Sequence, residues 1–474
     1  MSGSSGARGE LPRASDAMAP GRFGAWLTGV GALALLIQLR FIDASAHLPL
    51  SSAAAAARVQ ASWLVRGFWF VDPSHLDPTY PARSVSALHP PITTLLLAVA
   101  DVASATGVTA QRVFFALIFV GAIVVGALCA RALAGGRAGI LAALVLATFP
   151  ALWVNPVTLG PETAVVGLSC LVLWASVRFA DHPSTGGAAE IGAYLGLCVL
   201  TRTDLVALVV LVGLPLAVFA RSASWLERGK FVVVLLAVVV LVVAPWAGRN
   251  LATFSRTTLV SNDTGAVLAG ANCATTYTGP LEGWWSAGCA DAAASGGNQP
   301  AVAAEQLAAG RHYASSHEAP LVSVAAERVG RLWGVVDPIA GARLEALTGR
   351  PVWVTELATW YLYLLVPTAV FGAVVLRRRR LLLFPFAAMI VLATLTAALA
   401  YGDARFRVEA DAAMAILAGV ALDSLWRRIE RTAGQTRSPG QPRGRHAAGS
   451  APRAVEHESP VRPAAGVVAA REGR

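Results

Sequence analysis

The stretch VFFALIFVGAIVVGALCARALAGGRAG (113–139) decides the fold class of this chain. From Val113 to Ala130 it contains no charged residue and no proline, which approaches the roughly 20 apolar residues that a helix needs to cross a bilayer. The run ends at Arg131, with Arg137 shortly after it. Basic residues that follow an apolar segment mark its cytoplasmic end. The stretch therefore predicts a transmembrane helix that ends inside the cell.

The composition of the whole chain supports the same class of protein. Of 474 residues, 55% are hydrophobic and only 14% are charged, whereas globular domains are about 45–50% apolar and about 25% charged. The net charge of +10 would suit a nucleic-acid binder, but the basic residues lie in short loops between apolar segments, at 131–137, 221–230 and 377–380. That distribution is typical of membrane topology. It predicts contact with membrane lipids and no nucleic-acid partner.

Apolar segments of similar length recur along the chain. Segment 89–105 is short and contains Asp101; if it crossed the membrane, Arg131 and Arg137 would face outside, so we interpret it as an interfacial or re-entrant helix. The predicted fold class is all-α: a polytopic membrane protein with about ten transmembrane helices, a long first external loop and a small extracytoplasmic lobe. The predicted spans are 23–41, 112–133, 138–156, 163–180, 187–201, 204–220, 230–247, 353–376, 381–400 and 408–426.

The same pattern divides the chain into regions. Cys273 and Cys289 flank a polar, aromatic stretch of the predicted lobe, and a disulfide between them is expected if the lobe faces an oxidising compartment. The regions are a disordered cytoplasmic leader (1–21), a transmembrane core (22–248) with an external loop (42–111), an extracytoplasmic lobe (249–352), C-terminal transmembrane helices (353–426) and a disordered basic cytoplasmic tail (427–474).

Charged residues stand at three helix junctions that the predicted topology places outside. Glu162 begins one helix, Arg202 lies in a tight turn, and Arg405 and Arg407 lie in the stretch YGDARFRVEAD (401–411). Charges near the membrane interior are costly and usually mark a functional site. The alternatives are a favourable helix dipole at Glu162 and local salt bridges at the arginines.

This set of groups suits a lipid-linked phosphate whose head group lies at the membrane interface. Arginines present a planar fork of donors to a phosphate, and a carboxylate accepts the proton of an attacking hydroxyl. Trp284 and Trp285 offer a face on which a sugar stacks, although paired tryptophans also serve as interfacial anchors.

Several motifs, in this order, resemble the GT-C superfamily of membrane glycosyltransferases. The similarity is to the bacterial relatives of protein O-mannosyltransferases and lipid A aminoarabinose transferases, and it extends over most of residues 23–426. The matching stretches are QASWLVRGFWFVDP (60–73), ALHPPITTLLLA (87–98), QRVFFALIFVGAIVVGALCARALAG (111–135), TLGPETAVVGL (158–168), LGLCVLTRTDLVAL (195–208), APWAGRNLATF (244–254), GANCATTYTGPLEGWW (270–285) and YGDARFRVEAD (401–411).

The resemblance implies transfer of a sugar from a polyprenyl-phosphate donor, with inversion, to an envelope glycan, lipid or protein on the extracytoplasmic face of the plasma membrane. It implies that Glu162 is the catalytic or substrate-orienting carboxylate, that Arg202 holds the carrier phosphate, and that His89 begins a helix that walls the site. The spacing of Arg405 and Arg407 makes them further candidates for the phosphate. A second acid is usual in the first external loop of this family.

That first-loop acid is missing from its usual place. Counting back from Gln60, the position falls at about Ala53, so Glu162 acts alone, or an acid such as Asp43 or Asp72 replaces it, or the chain is inactive. The rival hypotheses are an inactive relative that binds a lipid-linked glycan or scaffolds envelope enzymes, and a lipid or small-molecule transporter. Some relatives use a divalent metal, but no His, Asp or Glu spacing in this sequence indicates one.

Overall fold

The computed structural model describes residues 18–72, 85–103, 106–254, 256–295 and 298–436. Within these ranges the chain is almost entirely helical, and the described residues form no strand beyond one isolated bridge between Val71 and Val85. The predicted all-α class is confirmed. Most of the predicted leader and tail lies outside the described residues.

Among the described residues, eleven helices come before the predicted lobe, and the first of them begins at Pro20. Short turns of other helix types link some of them: Thr203–Val206 is a 3₁₀ turn and Val209–Gly213 a π turn. The helices are α1 (Pro20–Ala44), α2 (Ser52–Val65), α3 (Ile92–Val102), α4 (Val108–Ala134), α5 (Gly136–Thr148), α6 (Pro150–Trp153), α7 (Asn155–Thr158), α8 (Glu162–Asp181), α9 (Thr185–Val199), α10 (Leu214–Val218) and α11 (Trp225–Thr253).

The remaining helices cover the predicted lobe and the C-terminal segment. The last of them runs to Thr436, ten residues beyond the span predicted at 408–426, and the chain divides into two units at Arg427. The helices are α12 (Asp263–Ala271), α13 (Ala274–Tyr277), α14 (Ala287–Ala292), α15 (Gln299–Ser316), α16 (Glu318–Leu332), α17 (Pro338–Glu345), α18 (Val352–Arg378), α19 (Phe384–Leu399) and α20 (Val408–Thr436).

Five of the described helices, α1, α4, α8, α11 and α18, are long and apolar enough to cross a membrane. The count rises to six if α5 and the short helices after it, which bend by 62°, form one broken span. The other predicted spans form helices that are shorter or less apolar, so the number ten stays a prediction. The chain is a multi-pass membrane protein.

The break in the predicted span 138–156 has a local cause. Phe149 is extended, with φ −73° and ψ 115°, and Pro150 begins the next short helix. A proline lacks the backbone N–H of the helix ladder, and it disfavours helical geometry in the residue before it. The chain therefore bends here, and α6 and α7 lead it to the turn before Glu162.

Small residues allow the membrane helices to pack closely. Gly192 and Gly196, in the stretch GAYLG of α9, face α11: a Cβ at Gly192 would lie 2.6 Å from the Leu235 carbonyl oxygen, and one at Gly196 would lie 2.8 Å from the Val242 Cβ. Glycines spaced in this way let two helix backbones approach each other in a membrane. Helix α4 packs against α1, α5 and α8 in the largest buried apolar cluster.

Candidate functional site

Three helix junctions meet at one end of the bundle. They are the turn before α8, the turn after α9 and the segment between α19 and α20. The Arg202 Nη1 donates to the Arg405 carbonyl oxygen at 3.4 Å, and the Thr396 hydroxyl donates to Asp204 Oδ2 at 3.2 Å. The second and third junctions are thus tied together. We call Glu162, Arg202, Tyr401 and Arg405 the junction site.

Arg202 is held by two carboxylates. Its Nε and Nη2 donate to the two oxygens of Asp204 at 3.1 and 2.5 Å, and its Nη1 lies 3.5 Å from Glu409 Oε2. Glu409 is fully buried, and its second oxygen has no hydrogen-bond partner among the described residues. Because every nitrogen of Arg202 has a partner, this guanidinium fixes the junction and contributes charge to it.

Glu162 begins α8, after Leu159 in the left-handed region (φ 55°), Gly160 and Pro161. Its side chain folds back over Gly160, where a Cβ would lie only 2.1 Å from Glu162 Oε2. The residue is 5% exposed, and no described residue donates a hydrogen bond to its carboxylate. The fully buried carboxylate oxygens that lack a hydrogen-bond partner among the described residues belong to Glu409 and Asp411, so Glu162 is distinguished by the lack of a protein donor and not by a buried, unsatisfied oxygen.

The charge of Glu162 acts on both arginines. Burial lowers the pKa of Arg202, but nearby carboxylates, Glu162 among them, raise it above its ordinary value. The same balance holds at Arg405, where burial lowers the pKa and Tyr401, Asp403 and Glu162 raise it above its ordinary value. The acid at the start of α8 and the two guanidiniums therefore share one electrostatic environment.

Arg405 keeps part of its guanidinium free. Its Nη2 donates to the Tyr401 hydroxyl and its Nε lies 3.0 Å from Asp403 Oδ2, but Nη1 has no hydrogen-bond partner within the described part of the chain. The side chain is 32% exposed and lies over the rings of Tyr401 and Phe406. It is the accessible guanidinium of the junction site.

The two predicted aromatic residues lie against the same segment. The rings of Trp284 and Trp285 have their centroids 6.2 and 6.3 Å from that of Tyr401, and Gly402 donates its backbone N–H to the Gly283 carbonyl at 2.9 Å. Trp284 is buried, whereas Trp285 is half-buried. The predicted lobe thus supplies one wall of the junction site.

The disulfide loop supports that wall. Cys273 and Cys289 are bonded to each other. The fully buried Arg328 donates to the carbonyl of Ala271 and to Asn272 Oδ1, just before the first cysteine, and also to the Ala398 carbonyl at the end of α19. One side chain therefore joins the loop that carries both tryptophans to the helix that leads to Tyr401.

Three other predicted site residues have no contact with the junction site among the described residues. Arg407 is buried in a separate pair with Asp411, at 2.9 Å, and donates to the Leu332 carbonyl. His89 is exposed, and its Nδ1 lies 3.8 Å from Asp263 Oδ2 on α12. Asp43 is exposed at the end of α1.

Sequence reasoning missed a second polar group behind the junction site. Glu345 at the end of α17 accepts a hydrogen bond from the backbone N–H of Ala404 at 3.3 Å. Its other oxygen lies 3.8 Å from Arg350, which donates in turn to Asn155 at 2.7 Å. Burial and the charge of Asp403 raise the pKa of Glu345 to about 7. Glu345 and Arg350 lie in a polar segment, and their partners are distant in sequence. No local sequence pattern therefore marks them as part of a site.

The junction site contains one carboxylate, Glu162, that could serve as a metal ligand. Within the described ranges, no group of three or more His, Cys, Asp or Glu side chains is placed to hold a metal ion. Asp204 and Asp403, next to the junction site, pair with Arg202 and Arg405.

The sequence is similar to one known protein family over part of its length. Residues 88–248 match the family model described as dolichyl-phosphate-mannose–protein mannosyltransferase. No curated protein sequence matches the chain significantly.

The fold is similar to that of a solved archaeal membrane protein. The archaeal oligosaccharyltransferase AglB from Archaeoglobus fulgidus, in complex with an inhibitory peptide and a dolichol-phosphate, aligns with a TM-score of 0.51 and 18% identity, over 88% of this chain and 52% of that one. This chain thus spans about half the length of the archaeal protein. ArnT from Cupriavidus metallidurans, bound to undecaprenyl phosphate, aligns with a TM-score of 0.40 and 18% identity, over 90% of this chain and 82% of that one.

Proposed function

We propose that this multi-pass membrane chain, which has the fold of the GT-C glycosyltransferases, is an enzyme. It would move a sugar from a polyprenyl-phosphate donor to an envelope acceptor. The acceptor is a glycan, a lipid or a protein, and transfer takes place on the extracytoplasmic face of the plasma membrane. The dolichol-phosphate bound to the archaeal structure of the same fold supports a lipid-linked donor.

One feature carries the proposal: the Glu162 carboxylate has no hydrogen-bond donor among the described residues and interacts electrostatically with the guanidiniums of Arg202 and Arg405. In the proposed reaction, the acceptor hydroxyl passes its proton to Glu162 while its oxygen forms a bond to the anomeric carbon of the sugar. The bond between that carbon and the phosphate oxygen breaks, and the lipid phosphate leaves with the electron pair. Such proton transfer contributes about 10²–10⁴ in rate.

The leaving phosphate needs a positive partner. Arg405 offers an unpaired, accessible Nη1 to the phosphate. Arg202 donates to the Arg405 carbonyl and contributes a second positive charge to the site. Donors aimed at charge that develops in the transition state lower the barrier most. We therefore assign direct phosphate contact to Arg405, and assign to Arg202 the placement of Arg405. The phosphate role that the resemblance implies for Arg202, and the one that the arginine spacing indicates for Arg407, stay predictions.

A comparison of envelope glycans tests this function. Mass spectrometry would compare a strain that lacks the gene with strains that carry the wild type, Glu162→Gln or Glu318→Gln. Glu318 is an exposed acid at the start of α16, and it serves as the matched control. We expect a product that disappears without the gene, returns with the wild type and the Glu318 variant, and stays absent with Glu162→Gln.

The same experiment separates the inactive rival. If Glu162→Gln restores the glycan profile as well as the wild type does, the chain acts as a binder or scaffold and Glu162 takes no proton. If removal of the gene changes no envelope glycan, the transferase function is contradicted.

A further inference from the structure

Helix α17 has two faces of different character. Ala342 and Glu345 are buried, and Glu345 holds the Ala404 backbone next to Arg405. On the other side, Ile339 is 57% exposed and Leu347, just past the helix end, is 78% exposed. Large apolar side chains that project from a short helix lose free energy when they stay in water, at about 25 cal/mol per Å².

The exposed apolar surface continues onto the next helix. Helix α17 packs against α18, which is a candidate membrane span and whose first turns expose Trp353 and Trp360. Tryptophans near the end of a span mark the level of the lipid head groups. Leu364, further along this candidate span, is 73% exposed.

A basic residue lies between the two exposed apolar side chains of α17 and the turn after it. Arg343 is exposed and stands four residues after Ile339 and four before Leu347, so the three side chains lie along one side of the helix and the turn that follows it. An arginine between apolar residues is the pattern of a helix that lies in the membrane interface, where its charged group reaches the lipid phosphates.

We propose that α17 is seated in the head-group layer at the end where α18 enters the membrane. Ile339 and Leu347 dip into the acyl boundary, and Arg343 contacts lipid phosphate. The inner face of α17 meanwhile holds the segment that carries Arg405, so the bilayer surface and the junction site meet through one helix. This seat is a lipid contact whether or not the chain transfers sugar.

The experiment uses single cysteines in the full chain, reconstituted in vesicles that contain anionic lipid. The native cysteines allow this, because Cys129, Cys170 and Cys198 are buried and the other two form a disulfide. The variants Ile339→Cys and Leu347→Cys are labelled with an environment-sensitive fluorophore. Quenching is measured with lipids that carry a nitroxide near the head group, and with a water-soluble metal chelate.

Two further variants calibrate the readout. Leu364→Cys marks a lipid-facing position on α18, and Glu318→Cys marks an exposed polar position on α16. We expect the labels at 339 and 347 to be quenched by the nitroxide lipid several-fold more strongly than the label at 318, and to be shielded from the aqueous quencher.

Two other outcomes would contradict the proposed position of α17 in the head-group layer. If the labels at 339 and 347 respond like the label at 318, then α17 stands in water. If neither quencher reaches them, another protein surface covers α17, such as a second copy of the chain. Because the readout needs no turnover, its failure would leave the glycan test of the proposed function untouched, and the reverse also holds.

Discussion

The guanidinium of Arg202 donates to the backbone carbonyl of Arg405 at 3.4 Å, across 203 residues of sequence. This contact joins the turn after α9 to the segment before α20. It gives the two arginines different roles: Arg202 is fully paired with carboxylates, whereas Arg405 keeps one nitrogen free. The two residues should therefore respond differently to substitution.

Arg202→Ala should destabilise the fold. It leaves the carboxylates of Asp204 and Glu409 without their cation, and removal of one partner of a buried ion pair costs about 3–5 kcal/mol. We expect a clearly lower melting temperature in detergent, measured by the aggregation or fluorescence transition. Arg377→Ala, at an exposed position, is the control. An unchanged transition would mean that the pairing of Arg202 is dispensable.

Arg405→Ala should weaken lipid-phosphate binding and cost less stability than Arg202→Ala. The side chain is partly exposed, and it makes one hydrogen bond and one ion pair. A hydrogen bond to a charged group is worth about 1.5–3 kcal/mol, so we expect at least about tenfold weaker binding of undecaprenyl phosphate, measured by native mass spectrometry or a fluorescent analogue. Arg311→Ala, at an exposed position on α15, serves as a comparison. Equal binding by Arg405→Ala and wild type would remove Arg405 from the phosphate site.

The disulfide should contribute substantially to stability. Cys273 and Cys289 close a loop with a sequence separation of 16, and a cross-link of about that size stabilises a fold by roughly 3 kcal/mol. We expect the double variant Cys273→Ser, Cys289→Ser to melt at a lower temperature than the oxidised wild type, and to match the reduced wild type. If a membrane-impermeant thiol reagent labels both cysteines without prior reduction, the bond is absent in the protein.

Glu345 should make stability depend on pH. Burial raises its pKa from 4.5 to about 7, so the folded chain binds the proton more tightly than the unfolded chain does. The stabilisation is complete below about pH 4.5 and is lost as the pH rises through about 7. Melting curves of the wild type and Glu345→Gln between these values test this: the wild type should lose stability relative to the variant as the pH rises. Parallel curves would contradict the raised pKa.

Part of the site could be predicted from the sequence. Glu162, Arg202 and Arg405 each stand at the end of an apolar segment, where a charge is costly and therefore conspicuous. The alternation of spans also put these residues at one end of the bundle. The free carboxylate and the free nitrogen could not be predicted, because they depend on which partners the folded chain brings to each group.

Other features had no local signal. Glu345 and Arg350 lie in the polar region 249–352, where charges are common, and their partners Ala404 and Asn155 are far away in sequence. The bend at Pro150 is different, since a proline inside a predicted span does signal a break. Pro150 therefore predicts that the span 138–156 is divided into separate helices.

The most direct test is a cryo-electron-microscopy structure of the full chain in nanodiscs with bound undecaprenyl phosphate. We expect the phosphate within hydrogen-bonding distance of Arg405 Nη1, with the Glu162 carboxylate facing the side from which an acceptor hydroxyl attacks. A phosphate bound away from Arg405, or packed helices between Glu162 and that phosphate, would contradict the proposed reaction centre.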